Sequence, residues 1–184
     1  EFISPFGKQK IHYADWIASG RLYRSIEKNL TEQIGPYVSN THTETNTTGT
    51  MMTKSYHFAH RYIKKHVNAY DSDVIITAGS GMTSVVSKLQ RILSLKGCGG
   101  QYDRDCVKKQ NRPVVFVTHM EHHSNHTSWY ETIAEVVMIS PDKDLLIDLD
   151  DLRKKLELYK DRDFKIGAFT ACSNVTGVRT PYHK

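Results

Sequence analysis

Four short runs, each mostly apolar and rich in β-branched residues, constrain this chain more than any other feature: Val74–Thr77, Pro113–Val117, Ala134–Ile139 and Lys165–Thr170. None alternates apolar with polar residues. Such runs suit strands buried on both faces, and strands of that kind occur in parallel sheets covered by helices. Helical segments lie between them. Met82–Leu95 repeats apolar residues at helical spacing, and Asp148–Tyr159 has acids at its start and lysines later, matching the helix dipole. The expected fold is therefore α/β: an open, three-layer, mostly parallel sheet with helices on both faces and right-handed crossovers.

The first seventy residues carry no strong strand signal. A helix is expected over about 17–34, stopping at Gly35-Pro36, and a second over 51–70 with Met52, Tyr56, Ala59 and Ile63 on one face. Ser39 to Gly49, crowded with short hydroxyl and amide side chains, reads as a loop. Residues 96–112 form a glycine-rich, charged connection. Cys98 and Cys106 within it match no standard zinc spacing.

Composition narrows the function classes. With 184 residues, 39% hydrophobic and 24% charged, the chain has the make-up of a globular domain large enough to bury a core. The net charge of +5 is mild and its bases are interspersed with acids, so a nucleic-acid partner is not expected. No apolar run approaches the roughly 20 residues of a membrane span. Three cysteines are too few for a disulfide framework, and a reducing cytoplasm is the expected location. Glu1 stands where a start Met is expected, so the chain is expected to have been processed or cut from a longer one.

Ligands of open α/β sheets bind at the carboxyl ends of the strands. After the first run come Gly79-Ser80-Gly81 at a helix N-terminus, where unpaired N–H groups suit a phosphate. A plain tight turn accounts for these glycines equally well. After the second run, four histidines fall within His119–His126. One reading is a metal-dependent hydrolase or deaminase using His119, Glu121, His123 and a cysteine, although neither H-E-x-x-H nor a following P-C-x-x-C is present. The other is a histidine ring offering a stacking face to an aromatic ligand. After the fourth run, Asn174 places an amide on the same edge, or belongs to an ordinary turn. A non-catalytic phosphate-binding module resting on Gly79–Gly81 is a third possibility.

Taken together these elements resemble a family. Glu121-His122-His123-Ser124-Asn125-x-x-x-Trp129, then Ser173-Asn174-Val175-x-Gly177, and upstream Thr77-Ala78-Gly79-Ser80-Gly81-Met82-Thr83, are similar to motifs of the class V aminotransferases, the cysteine desulfurase-like branch of fold-type-I pyridoxal phosphate enzymes. Tyr37-x-x-Asn40-x-His42 is similar to that family's active-site loop, and Tyr13-x-Asp15 more faintly to its opening strand.

The resemblance implies pyridoxal 5'-phosphate as cofactor, an amino-acid substrate and a homodimer when intact. It implies that His122 stacks on the pyridine ring as the catalytic imidazole, that Asn174 bonds the cofactor's 3-hydroxyl oxygen, and that Ser80 and Gly81 hold the phosphate. The family usually has a hydroxyl residue where Gly81 stands. Asn40 and His42 would face the substrate. The division implied is 1–35 as an N-terminal segment and helix, and 36–184 as the first part of the cofactor-binding large domain. The Schiff-base lysine and the carboxylate at the pyridine nitrogen are expected beyond Lys184. The chain is thus expected to be an N-terminal fragment, inactive alone, of a transferase or lyase.

Overall fold

The computed structural model describes residues 1–16, 18–96 and 107–183. Two units emerge, Glu1–Ile76 and Thr77–Lys184. The first opens with a hairpin, β1 (Phe2–Ser4) paired antiparallel to β2 (Gly7–Gln9). Gly7 turns the chain at φ +95°, where a side chain would be strained, and Ser4 Oγ donates to its carbonyl at 2.9 Å. Three-residue strands are too short to carry a periodic signal, so the sequence pattern does not announce this hairpin.

The helix expected from residue 17 begins later, as α1 (Arg24–Asn29). Ser19 N–H bonds back to Asp15 O at 3.1 Å, and Tyr13 Oη donates to Asp15 O at 2.9 Å and also to Ser19 O. The segment is thereby closed into a turn, and Gly20 adds the usual glycine penalty against helix. At the other end the helix does not stop at Gly35. It continues as a π turn, Leu30–Ile34, and a 3-10 turn, Gly35–Tyr37.

The second helix, α2 (Thr47–His66), starts four residues before Met51 because Asn46 caps it, its side-chain oxygen accepting from Gly49 N–H at 2.7 Å. Its inner face is Gly49 and Thr53, flanked by Met52 and Tyr56, whereas Ala59 and Ile63 are exposed. The apolar stripe misleads because polar groups do the packing. A Cβ on Gly49 would lie 2.4 Å from Thr43 O, and Thr53 Oγ1 accepts from His42 N–H at 3.0 Å.

Residues 74–77 form no ladder among the described residues, and Val74 is 79% exposed. The strand expected there is absent: β-branched composition favours extended backbone, but only a paired neighbour makes a strand of it.

In the second unit the chain runs α3 (Met82–Ile92), β3 (Val114–Thr118), α4 (Thr127–Tyr130), β4 (Glu135–Ile139), α5 (Leu149–Leu158) and β5 (Lys165–Ala168). The three strands form one parallel sheet in the order β4-β3-β5. All five residues of the central strand are buried. Val115 and Val117 face Val86 of α3 and Trp129 of α4; Val114 and Phe116 face Ile139 and Ile147, with Leu149 and Leu152 of α5. The two-residue period of a strand thus supplies both faces, and the three-layer expectation holds. Helix α3 ends at Ile92 rather than Leu95, because Ser94 adopts a left-handed conformation that returns Leu95 into the core. Cys98 and Cys106 lie outside the described residues.

The amino edge of the sheet is tied by a cluster. Arg162 pairs with Glu135 at 2.7 Å and donates to Arg112 O at 2.6 Å, while Tyr159 Oη donates to Glu135 Oε1 at 2.8 Å.

Candidate active site at the carboxyl edge of the sheet

The turn before α3 is held open at its tip. Gly79 has φ +58°, and Ser84 packs directly on its Cα, leaving no room for a side chain. Gly81, in extended backbone, is the helix N-cap, with no side-chain cap and no atom within 4 Å of where its Cβ would be. Ser84 and Val85 N–H bond back to Gly81 O, so Met82 and Thr83 N–H have no acceptor inside the helix. Ser80 is exposed beside them. Far along the same element, Ile133 N–H donates to Leu95 O at 3.0 Å, which pins the carboxyl end of α3 at the start of β4. Eleven helical residues at 1.5 Å each separate Ser80 and Gly81 from that pinned end by about 16 Å.

The exit from β3 is organised by a buried carboxylate. Glu121 Oε1 accepts from Thr118 Oγ1 at 2.6 Å and from Thr170 N–H at 2.8 Å; Oε2 accepts from Asn125 Nδ2 at 2.7 Å. His122, next in the chain, is exposed, and its Nδ1 accepts from Ser124 N–H at 3.1 Å. A backbone N–H can only donate, so Nδ1 is the acceptor and the ring proton of the neutral form sits on Nε2. The ring is oriented from one side and open on the other.

The exit from β5 carries Asn174, exposed and with no side-chain hydrogen bond among the described residues. Ser173, buried behind it, accepts from Val175 and Thr176 N–H at 3.3 Å each. A cleft of about 350 Å³ opens here, lined by residues that follow all three parallel strands: His119 to Glu121, Leu145, and Ser173 to Thr176 with Val178. His122 and Ser80 do not line it, and neither does any lysine. Leu145 had no signal in the sequence. It stands at φ +61° on a loop held by Asp142, whose carboxylate accepts from Asp144 and Leu146 N–H. Asn40 and His42 belong to the first unit. Asn40 is exposed; His42 has φ +65°, with its ring edge-on to Tyr56.

The metal reading is not favoured. Among the described residues no three His, Cys, Asp or Glu side chains are grouped to hold an ion, and both oxygens of Glu121 are already engaged. No helix among them is long and apolar enough to cross a membrane.

The sequence profile of the family described as "Aminotransferase class-V" matches residues 12–184. The chain belongs to the class V aminotransferase family. A "Probable cysteine desulfurase" of Halalkalibacterium halodurans is 27% identical over 173 residues, covering 92% of this chain and 39% of that protein. The apo structure of a cysteine desulfurase from Thermococcus onnurineus NA1 superposes with a TM-score of 0.60 at 20% identity, covering 86% of this chain and 36% of the other. This class V chain therefore spans under two fifths of the length of these relatives, and the second likeness speaks to its fold.

Proposed function

We propose that this class V chain supplies one half of the cofactor site of a pyridoxal phosphate-dependent transferase or lyase acting on an amino acid, cysteine desulfurase-like in kind. What supports the reading is the uncapped N-terminus of α3, the His122 ring held through one nitrogen after β3 and the Asn174 amide after β5, together with a cleft lined by residues that follow all three parallel strands. The residues fit the group. The free N–H groups of Met82 and Thr83, with Ser80 Oγ, suit a phosphate dianion, and the space in front of Gly81 leaves room for it. His122 offers a flat face to a pyridine ring. Asn174 offers a donor to a phenolic oxygen.

Pyridoxal phosphate, when bound, supplies an electron sink for charge developing on the substrate. The contribution of this chain is to bind and orient: α3 fixes the phosphate, His122 the ring plane and Asn174 the in-plane rotation. Asn40 and His42 are proposed to face the substrate, and the intact protein to be a cytoplasmic homodimer. The lysine and the pyridine-nitrogen carboxylate are proposed to come from sequence outside these residues. Fluorescence titration of the chain with pyridoxal phosphate tests the reading. His122→Ala should weaken binding several-fold, in line with the roughly 0.5–1.5 kcal/mol of a stacked pair. Equal affinity in wild type and His122→Ala would refute the stacking role.

A further inference from the structure

Every group that touches Glu121 is a donor, and the order of donors is imposed from a distance. Trp129, buried in the core, has an indole N–H that can only donate, and it donates to Asn125 Oδ1 at 3.3 Å. Asn125 must therefore turn its Nδ2 toward Glu121, where it donates at 2.7 Å. On the other side Thr170 offers a backbone N–H, also incapable of accepting. Thr118, fully buried, accepts from Met120 N–H through Oγ1 and gives its own proton to Glu121. Position 121 thus needs acceptors on both sides, which a carboxylate provides and an amide does not.

We infer that Glu121 is a positioning residue, a latch whose carboxylate sets the loop that presents His122 against the loop that presents Asn174. The inference rests on the cofactor reading for what those loops hold, although the latch itself is independent of it. His122 is the next residue after Glu121. Thr170 begins the other loop, and its Oγ1 donates to Cys172 O at 3.0 Å, leading directly into buried Ser173 and then Asn174. Without the latch these two loops, leaving neighbouring strands, share no other polar tie at this edge among the described residues.

The donor order gives the test a rescue. In Glu121→Gln the new amide turns its NH₂ against Asn125 Nδ2, and flipping Asn125 would only set NH₂ against the Trp129 N–H. Adding Asn125→Asp removes both conflicts. The introduced aspartate accepts from the new glutamine and from Trp129, while the glutamine's carbonyl oxygen still accepts from Thr118 and Thr170. Three forms of the full chain, wild type, E121Q and E121Q/N125D, are compared by amide hydrogen exchange at Thr170 and by titration with pyridoxal phosphate and with inorganic phosphate.

E121Q should speed exchange at Thr170 about tenfold, the scale of one unsatisfied buried donor. It should weaken pyridoxal phosphate by a similar factor and leave inorganic phosphate binding unchanged; E121Q/N125D should restore both losses. A double variant as loose as E121Q overturns the inference, as does an equal loss of inorganic phosphate, which would mark general unfolding. If the wild type ignores pyridoxal phosphate while the exchange loss and rescue occur as stated, the cofactor reading falls and the latch stands.

Discussion

A Cβ built on Gly79 would lie 2.4 Å from both Cβ and Oγ of Ser84, so the turn and the first turn of α3 are packed backbone against side chain. Together with φ +58° this excludes any other residue without local rearrangement. Gly79→Ala should cost the roughly 1–2 kcal/mol of a left-handed alanine and more for the displaced Ser84. Thermal denaturation and inorganic phosphate titration check it. Both stability and phosphate affinity should fall.

Gly81 behaves in the opposite way. Its backbone is extended, a conformation open to any residue, and a side chain there meets empty space. Gly81→Ser should therefore fold normally and gain a few tenths of a kcal/mol from a serine N-cap. Its hydroxyl also adds a donor toward a bound phosphate. The expected result is tighter binding of pyridoxal phosphate at unchanged or slightly raised melting temperature; weaker binding would place the phosphate elsewhere.

The strands of the second unit were legible because burial on both faces leaves an unbroken apolar run, as in Val114 to Val117. The same signal at residues 74–77 failed, since composition records a preference for extended backbone and says nothing about a partner. On α2 the apolar stripe pointed to Ala59 and Ile63 while the chain buried Gly49 and Thr53, because close backbone approach and a hydroxyl acceptor have no hydrophobic signature. His122, Asn174 and Ser80 could be named as candidates from local motifs. The role of Glu121 could not, since its bond to Thr170 spans 49 positions and depends on a donor order set by Trp129.

Asp151 stabilises α5 against the sheet. Its Oδ2 accepts from Ser140 N–H at 2.7 Å and from Lys155 Nζ at 2.6 Å, and Lys155 in turn donates to Met138 O at 2.6 Å. The Lys155 hydrogen bond, then the Ser140 N–H, lower the Asp151 pKa from 3.8 to about 2. A carboxyl held lower in the folded state than in the unfolded one contributes stability that is complete above about pH 4 and disappears as pH falls through about 2. Asp151→Asn should lower stability at pH 7, toward the lower end of the roughly 1.5–3 kcal/mol of charged hydrogen bonds. It should also flatten the acid limb of the denaturation profile between pH 4 and 2.

Tyr159 behaves in the reverse sense at the opposite edge. Burial, then its donation to Glu135, raises the phenol pKa above its ordinary 10.0. The neutral phenol therefore contributes stability below pH 10 that is lost as pH climbs through the raised value. Ultraviolet titration should show a late-ionising tyrosine that Tyr159→Phe removes. The same variant strands an acceptor of Glu135, whose other oxygen still pairs with Arg162. Its cost should be about 1 kcal/mol.

Residues 1–184 on their own should bind pyridoxal phosphate weakly and reversibly, and should catalyse no reaction of an amino acid. The phosphate turn, the His122 ring and Asn174 each supply a modest contact, and ordering costs offset much of their sum. The cleft at the carboxyl edge has no lysine among its lining residues. Three lysines of the second unit are engaged away from it: Lys155 on Asp151 and Met138 O, Lys165 on Lys160 O, and Lys96 on Ser87. Borohydride treatment in the presence of cofactor should therefore leave no stoichiometric adduct at a single lysine, read by intact mass and peptide mapping. Stoichiometric labelling of one lysine within residues 1–184 would mean that the anchor lies inside this chain and that the proposed division of the site is wrong.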